Sequence, residues 1–317
     1  MIRIKESNKR QPYIVEDWLK NEDIYGRNGI DVLAKHGVYF VHHGKADVGI
    51  SWHGEPVDDV PYNKCILFRS EPPIYNLFYG KNLCEAKYVK KFMSVLSIYK
   101  YGDYPQTHFL YPCVSILFKY ILKYFNEPKE EMLCMILRNK RMTIWLNNLF
   151  PKLKKFNVYS NMDIRIKADK TFAALLAHNN YHSYGRGWDN RCFKGRIKER
   201  EDIYKIFASH KFTFCPENSR FNGFITEKPM QAMFCGSIPI YLGAPDVNKY
   251  LPRGTFIDYR HYTPEELVEY LIHMSEEEYE MYRENIRKFV TSKEAVEMFS
   301  TVKFANKILS LVGNQNE

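Results

Sequence analysis

Residues 211–243 read KFTFCPENSRFNGFITEKPMQAMFCGSIPIYLG. The apolar run 211–215 predicts a strand, residues 229–235 a helix closed by Gly236, and 237–243 a second strand. Strand, helix and strand in that order make a β-α-β unit, which favours a parallel sheet in an α/β fold. Between the two apolar runs lies a polar loop, Glu217, Asn218 and Ser219, and then Thr226, Glu227 and Lys228 stand directly before Pro229.

That charged turn needs a physical reason. Thr226 is placed to cap the helix, and Pro229 suits the first turn because its missing N–H would have no partner there anyway. A helix N-terminus presents unpaired N–H groups and about half a positive charge. Lys228 therefore opposes the dipole by a few tenths of a kcal/mol to about 1 kcal/mol unless an anion lies opposite. A diphosphate would supply that anion, since backbone N–H groups, dipole and lysine would all point at one negative charge. Glu227 then suits vicinal hydroxyls, so the turn suggests a nucleotide sugar. The alternative is a surface Glu–Lys pair worth at most about 1 kcal/mol, and on the residues alone the two readings stand level.

Working outward, 317 residues suit two domains at roughly 100–200 residues each. The division expected is 1–155, 156–295 and a helical tail 296–317, with the first boundary near the basic, proline-bearing stretch 150–158. Hydrophobic residues at 45 % and charged residues at 26 %, with 24 Tyr and 21 Phe, exclude a disordered chain. Short strands alternate with turns over 30–70, and the spacing of Val89, Phe92, Met93, Leu96 and Tyr99 predicts an amphipathic helix over 85–100. Further helices are expected over 114–125, 171–179, 200–210 and 263–290, the last opening on a capping box of Thr263 and Glu266.

The net charge of +9 suits an anionic ligand, a phosphorylated substrate or an anionic membrane face. No nucleic-acid motif accompanies it, so a nucleic-acid partner is not expected. Apolar stretches such as 111–125 are broken by lysine well short of the roughly 18 residues of a membrane span, and the N-terminus lacks the apolar core of a signal peptide. The chain reads as cytoplasmic, with peripheral membrane contact left open through its basic patches or the C-terminal stretch 300–317, where a solvated face is the plainer reading. Seven cysteines form no Cys-x-x-Cys pair and no zinc-like spacing with histidine, so they read as reduced core thiols.

The stretch FCPENSRFNGFITEKPMQAMFCGSIPIYLGAP, 214–245, closely resembles the signature of the α-1,3-fucosyltransferase family, glycosyltransferase family 10, in which Phe-Glu-Asn-Ser is followed by Tyr-x-Thr-Glu-Lys, an apolar helix and Gly-x-x-Pro-x-x-x-Gly. The likeness continues more weakly through 251–271, and YGRGWDN and KFTF fall at the expected distances upstream. The missing anchor makes the chain look like a bacterial or viral member. The resemblance implies a GT-B fold, two Rossmann-like domains facing across a cleft, with the donor domain C-terminal and the acceptor domain N-terminal. It implies an inverting transfer of L-fucose from GDP-fucose to a hydroxyl of a GlcNAc or glucose unit in an N-acetyllactosamine-type glycan, with α-1,3 or α-1,4 linkage.

Carried over by position, Asn218, Thr226, Glu227 and Lys228 should contact GDP-fucose, Lys228 at phosphate and Glu227 at a ribose or fucose hydroxyl, where it also steadies positive charge on the sugar ring. Phe224 stands where the family has tyrosine; its ring can stack or pack, but the hydroxyl contact is lost. The family's diphosphate-binding arginine follows a Ser-Asn pair, and Ser160–Asn161 puts Arg165 in that place, with Lys167 and Arg141 as rivals. No Asp-x-Asp occurs, so no metal or other cofactor is expected and activity should survive a chelator.

An inverting transfer needs one base to take the acceptor's proton. CILFRSEPPIYN, 65–76, runs off an apolar strand into Glu71, Pro72 and Pro73, and resembles the family segment whose glutamate is the proposed base. An exposed glutamate in a turn is the less favoured alternative, and Glu55 in WHGEP is the runner-up for the base, with His53 beside it read as structural. The alternatives to fucosyl transfer are a related hexosyltransferase using another nucleotide sugar, which the change at Phe224 keeps open, and a non-catalytic glycan-binding protein on the same fold.

Overall fold

In the computed structural model, residues 1–7, 14–23, 25–52, 54–70, 86–100, 105–110, 123–139, 161–176, 180–188 and 190–313 are described. The chain divides into two compact units, one of Met1–Ile116, Phe221–Phe224 and Val296–Glu317, the other of Leu117–Arg220 and Ile225–Ala295.

The first unit holds a six-stranded sheet of β1 (Ile2–Glu6), β2 (Val38–Phe40), β3 (Val48–Trp52), β4 (Cys65–Arg69), β5 (Ser94–Ser97) and β6 (Thr107–His108), in the order β2-β1-β3-β4-β5-β6. Every pairing is parallel. Parallel strands covered on both faces read as continuous apolar runs, and β4, CILFR, is buried at all five positions. The core stacks Phe68 on Phe109 with ring centroids 5.3 Å apart, and Phe109 on Phe304 at 4.8 Å. Phe304 comes from the helix Thr301–Gly313, which also buries Ala305, Ile308 and Val312. The segment 296–317 is therefore part of the first unit rather than a separate tail, because its apolar stripe completes that core.

The second unit holds β7 (Glu131–Ile136), β8 (Tyr181–Tyr184), β9 (Phe193–Gly195), β10 (His210–Pro216), β11 (Ile238–Leu242) and β12 (Ile257–Asp258), in the order β12-β11-β10-β7-β8-β9, again all parallel. The expected boundary at 155/156 moves to 116/117, because β7 lies between β10 and β8 and carries its flanking residues into this sheet. The β-α-β unit read from 211–243 is present as β10, the helix Glu227–Phe234 and β11.

The region 85–100 corrects another expectation. Only Ala86–Val89 is helical, and Ser94–Ser97 is β5, paired with β4. The apolar residues that match a helical spacing come from three successive pieces: the turn of helix ending at Val89, a bend with Phe92 and Met93, and the short strand SVLS, whose two apolar residues are too few to show an alternation of their own. Of the helix expected over 114–125, residues 114–122 lie outside the described residues. The five described cysteines, 65, 134, 192, 215 and 235, are free and buried. Among the described residues no helix is long and apolar enough to cross a membrane.

Candidate active site

Strand β10 delivers the polar loop to the carboxyl edge of the second sheet, the edge at which parallel α/β sheets bind ligands. Glu217 follows it directly. Its backbone N–H donates to the Leu242 carbonyl at 2.7 Å, prolonging the β10–β11 ladder, and its side chain is fully buried. The carboxylate accepts from the Thr226 backbone N–H at 2.7 Å and from the Lys228 ammonium at 3.0 Å. The Thr226 hydroxyl lies 2.9 and 2.8 Å from its two oxygens. Lys228 Nζ also donates to Thr226 Oγ1 at 2.8 Å and stands 3.8 Å from Glu227 Oε1.

Glu217 is thus the hub of the charged turn, and sequence reasoning passed over it as one residue of a polar loop. The signal was available: a carboxylate directly after a buried strand and a proline, the same context that drew attention to Glu71. Its presence changes the meaning of Lys228, since an anion opposite the lysine is supplied by the protein itself. Burial alone would lower the pKa of this ammonium, but Glu217 and then Glu227 outweigh it and hold the group above the usual lysine value, with Arg165 pulling the other way. The Lys228 side chain as a whole is 19 % exposed, against 0 % for Glu217.

Thr226 occupies the N-cap position of the helix Glu227–Phe234, with φ −96° and ψ −167°, but makes no side-chain cap. Its hydroxyl turns to Glu217, because a carboxylate accepts more strongly than a hydroxyl can cap. Among the described residues no side chain caps this helix start, the arrangement in which a helix end receives an anion. A Cβ at position 243 would run into both Tyr241 and the Glu217 side chain, so the glycine there makes room for the hub.

Asn161 ties a second element to this corner. Fully buried, it donates its amide to the Glu217 carbonyl at 2.8 Å and to the Leu242 carbonyl at 3.2 Å, and accepts from Arg220 Nε at 2.8 Å. The helix Met162–Leu175 starts beside it and carries Arg165, 1 % exposed, whose guanidinium donates to the Pro216 carbonyl at 2.5 Å. Among the three candidate cations, then, Arg165 is brought against the loop. Lys167 is not, for its side chain is 63 % exposed and lies 3.9 Å from Glu265. Arg141 lies outside the described residues.

Asn218 is half-buried next to Glu217. Phe224 belongs to the first unit. Its ring is 1 % exposed and meets Tyr99 edge-on, centroids 6.3 Å apart, within the core of the first unit. Of the two uses expected for this ring, stacking and packing, its burial among apolar residues agrees with packing. Glu71 and His53 lie outside the described residues. Glu55 is half-buried in the turn after β3, its carbonyl accepting from Ser51 Oγ at 2.6 Å. At the carboxyl end of β4 the fully buried Arg69 donates from Nε to Tyr99 Oη at 2.9 Å and lies over that ring at 4.5 Å.

Residues 152–309, about half of the chain, match the family model described as glycosyltransferase family 10 (fucosyltransferase), C-terminal. Curated relatives include GDP-fucose protein O-fucosyltransferase 3 of Danio rerio, 28 % identical over 130 residues, covering 39 % of this chain and 28 % of that protein. The Mus musculus protein is 30 % identical over 112 residues, covering 33 % and 23 %, and that of Canis lupus familiaris 27 % identical over 190 residues, covering 54 % and 40 %. The chain thus spans less than half the length of each. Among solved structures, an α1,3-fucosyltransferase with GDP superposes with a TM-score of 0.63 at 12 % identity, over 99 % of this chain and 91 % of the other. The same enzyme type with GDP-fucose gives 0.61 at 13 % identity, over 99 % and 91 %. At such identity the likeness speaks for the fold: two parallel-sheet α/β domains of the GT-B class.

Proposed function

We propose that this chain, which belongs to the glycosyltransferase family 10 fucosyltransferases, transfers L-fucose from GDP-fucose, with inversion, to a hydroxyl of a GlcNAc or glucose unit in an N-acetyllactosamine-type glycan, forming an α-1,3 or α-1,4 linkage. The observation that carries this reading is the corner at the end of β10, where Glu217 fixes the ammonium of a partly exposed lysine beside a helix N-terminus with no side-chain cap.

In this reading Lys228 and the first-turn N–H groups take the diphosphate, and Arg165, close enough to Lys228 to oppose its charge, adds to the positive field. Glu227, 33 % exposed and 3.8 Å from Lys228, accepts from a ribose or fucose hydroxyl and steadies positive charge on the ring. Glu71, two positions past the last residue of β4, is the base. The acceptor oxygen forms a bond to fucose C1 as the C1–O bond to phosphate breaks. GDP departs with the electron pair, and the acceptor's proton passes to the Glu71 carboxylate. Negative charge on leaving GDP is met by protein cations and the helix end, so no metal is required.

A second acceptor class is favoured by the names of the relatives, which are protein O-fucosyltransferases: the hydroxyl of a serine or threonine. Purified protein with GDP-fucose, EDTA and either N-acetyllactosamine or a protein acceptor separates the two. Fucose released from product by alkaline β-elimination identifies a serine or threonine acceptor. Glycan product from the parent, reduced about 100-fold or more by Glu71→Ala and by Lys228→Ala, is the expected result. A parent that neither transfers fucose nor binds GDP overturns the reading.

A further inference from the structure

A second polar feature stands at the carboxyl edge of the same sheet, outside the charged corner. Residues 137–139 follow β7 and 185–188 follow β8, and the two loops are laced together. Leu137 N–H donates to the Tyr184 carbonyl at 3.0 Å and Asn139 N–H to the Arg186 carbonyl at 2.8 Å. The Trp188 indole N–H donates to the Leu137 carbonyl at 2.6 Å, and Asn139 Nδ2 to the Gly187 carbonyl at 2.9 Å. Gly187 has φ +86°, and a Cβ there would stand 3.1 Å from the Asn139 carbonyl oxygen and 3.3 Å from Asn139 Cβ, so only glycine lets the loops close.

Within this rigid pair one group is left over. Asn139 is 9 % exposed, and its Oδ1 is buried and accepts no hydrogen bond among the described residues. Turning the amide over would bring Oδ1 against the Gly187 carbonyl, so the orientation is fixed by the contact at Nδ2. A buried acceptor with no donor is uncommon, and its retention calls for a partner that the protein alone does not supply.

Position narrows the partner. β7 is the neighbour of β10 and β8 lies next beyond it. At about 4.8 Å between strands, the two loops are one and two strand spacings from the Glu217 corner, along the same carboxyl edge. A nucleoside diphosphate held at that corner by its phosphates has its ribose and base to place within such a span.

We propose that Asn139 Oδ1 accepts an N–H from the Watson–Crick edge of the donor's guanine ring, which makes the paired loops 137–139 and 185–188 the base-discriminating part of the site. The assignment rests on the GDP-fucose reading. Guanine offers adjacent donors there, N1–H and the 2-amino group, whereas adenine in the same pose presents a bare N1 acceptor and carries its one donor, the 6-amino group, where guanine has O6. An acceptor held in place by Gly187 favours the first and is left unpaired by the second, and a site built to hydrogen-bond one group discriminates strongly against its absence.

The test is nucleotide discrimination, measured as Kd for GDP, IDP and ADP by calorimetry on the full chain. Parent protein is expected to bind GDP at least tenfold tighter than ADP, and Asn139→Ala to cut that ratio about tenfold while ADP affinity stays level. Asn139→Asp keeps an oxygen at the Oδ1 place but sets a second one against the Gly187 carbonyl, so it should retain the preference at lower stability. If both variants fold poorly, the parent's own GDP-to-ADP ratio is the readout, and equal affinity for the two would overturn the assignment. IDP, which keeps N1–H and lacks the 2-amino group, shows which donor is used. Equal weakening of GDP and ADP in Asn139→Ala, or an unchanged ratio, would mean that Asn139 only supports the loops and would overturn the assignment. Parent protein that binds none of the three overturns the donor reading and takes this assignment with it.

Discussion

Strand β10 carries a buried polar cluster at each end, and the two follow opposite rules. At its carboxyl end Glu217 and Lys228 are an ion pair with every close contact satisfied through Thr226. At its amino end His210, 1 % exposed, meets His182 Nδ1 through Nε2 at 3.0 Å and the Ile206 carbonyl through Nδ1 at 2.6 Å. A carbonyl only accepts, so His210 carries its proton on Nδ1, and its Nε2 accepts from His182. Burial pushes the pKa of His210 down to about 4, against the Ile206 carbonyl, and His182, Lys129 and Lys194 add to the lowering. Glu131, 4.0 Å from His182 Nε2, is a carboxylate facing the pair. Burial is similar at the two ends, and the partners decide the outcome: a carboxylate opposite an ammonium keeps both charged, while two imidazoles and a carbonyl leave the neutral form.

The largest expected effect comes from breaking the charged end. Glu217→Ala leaves the Lys228 ammonium and the Thr226 N–H without their acceptor, which should cost about 3–5 kcal/mol in chemical denaturation. Glu217→Gln, which keeps the shape and one acceptor, should cost less. Identical midpoints for parent and Glu217→Ala would show that the corner is not held as described.

The neutral end gives a pH signature of on the order of 3 kcal/mol. The unfolded chain protonates His210 near pH 6.5, the folded one only near pH 4. Its stabilising contribution is therefore complete above pH 6.5 and declines as pH falls toward 4. Denaturation curves between pH 7.5 and 4.5 should show this slope in the parent and a shallower one in His210→Gln; equal slopes would contradict the neutral pair.

A smaller effect compares two N-cap threonines. Thr263 Oγ1 accepts from the Glu266 N–H at 3.2 Å while Glu266 accepts from the Thr263 N–H at 2.8 Å, a complete capping box. Thr263→Ala should lower stability by about 1 kcal/mol, with donor affinity untouched. Thr226, whose hydroxyl serves Glu217 instead, should affect donor affinity when changed to alanine. A thermal melt beside a GDP titration of both variants checks the contrast.

What the sequence disclosed follows the same division. The unit β10–helix–β11 and the Thr263 box were legible because local signals, a proline at the helix start, a glycine after its end and a cap with its glutamate, agree with the tertiary fold. Strand β5 was not, because its four residues, SVLS, hold only two apolar positions and set no period of their own. The domain boundary was not, because β7 joins β10 by a pairing between residues far apart in sequence, which no local pattern records. In the site, Lys228 drew attention by opposing the helix dipole, yet the partner that resolves the conflict, Glu217, sits eleven residues earlier and becomes adjacent only when the loop folds back.

In the proposed reading the ammonium of Lys228, held by Glu217 at a helix end with no side-chain cap, binds the donor's diphosphate. Calorimetric titration of GDP into the parent and into Lys228→Ala tests it most directly. Saturable binding by the parent, weakened about 10- to 100-fold in the variant as expected for losing a charged hydrogen bond, is the predicted result. Equal affinity in the two proteins would contradict it.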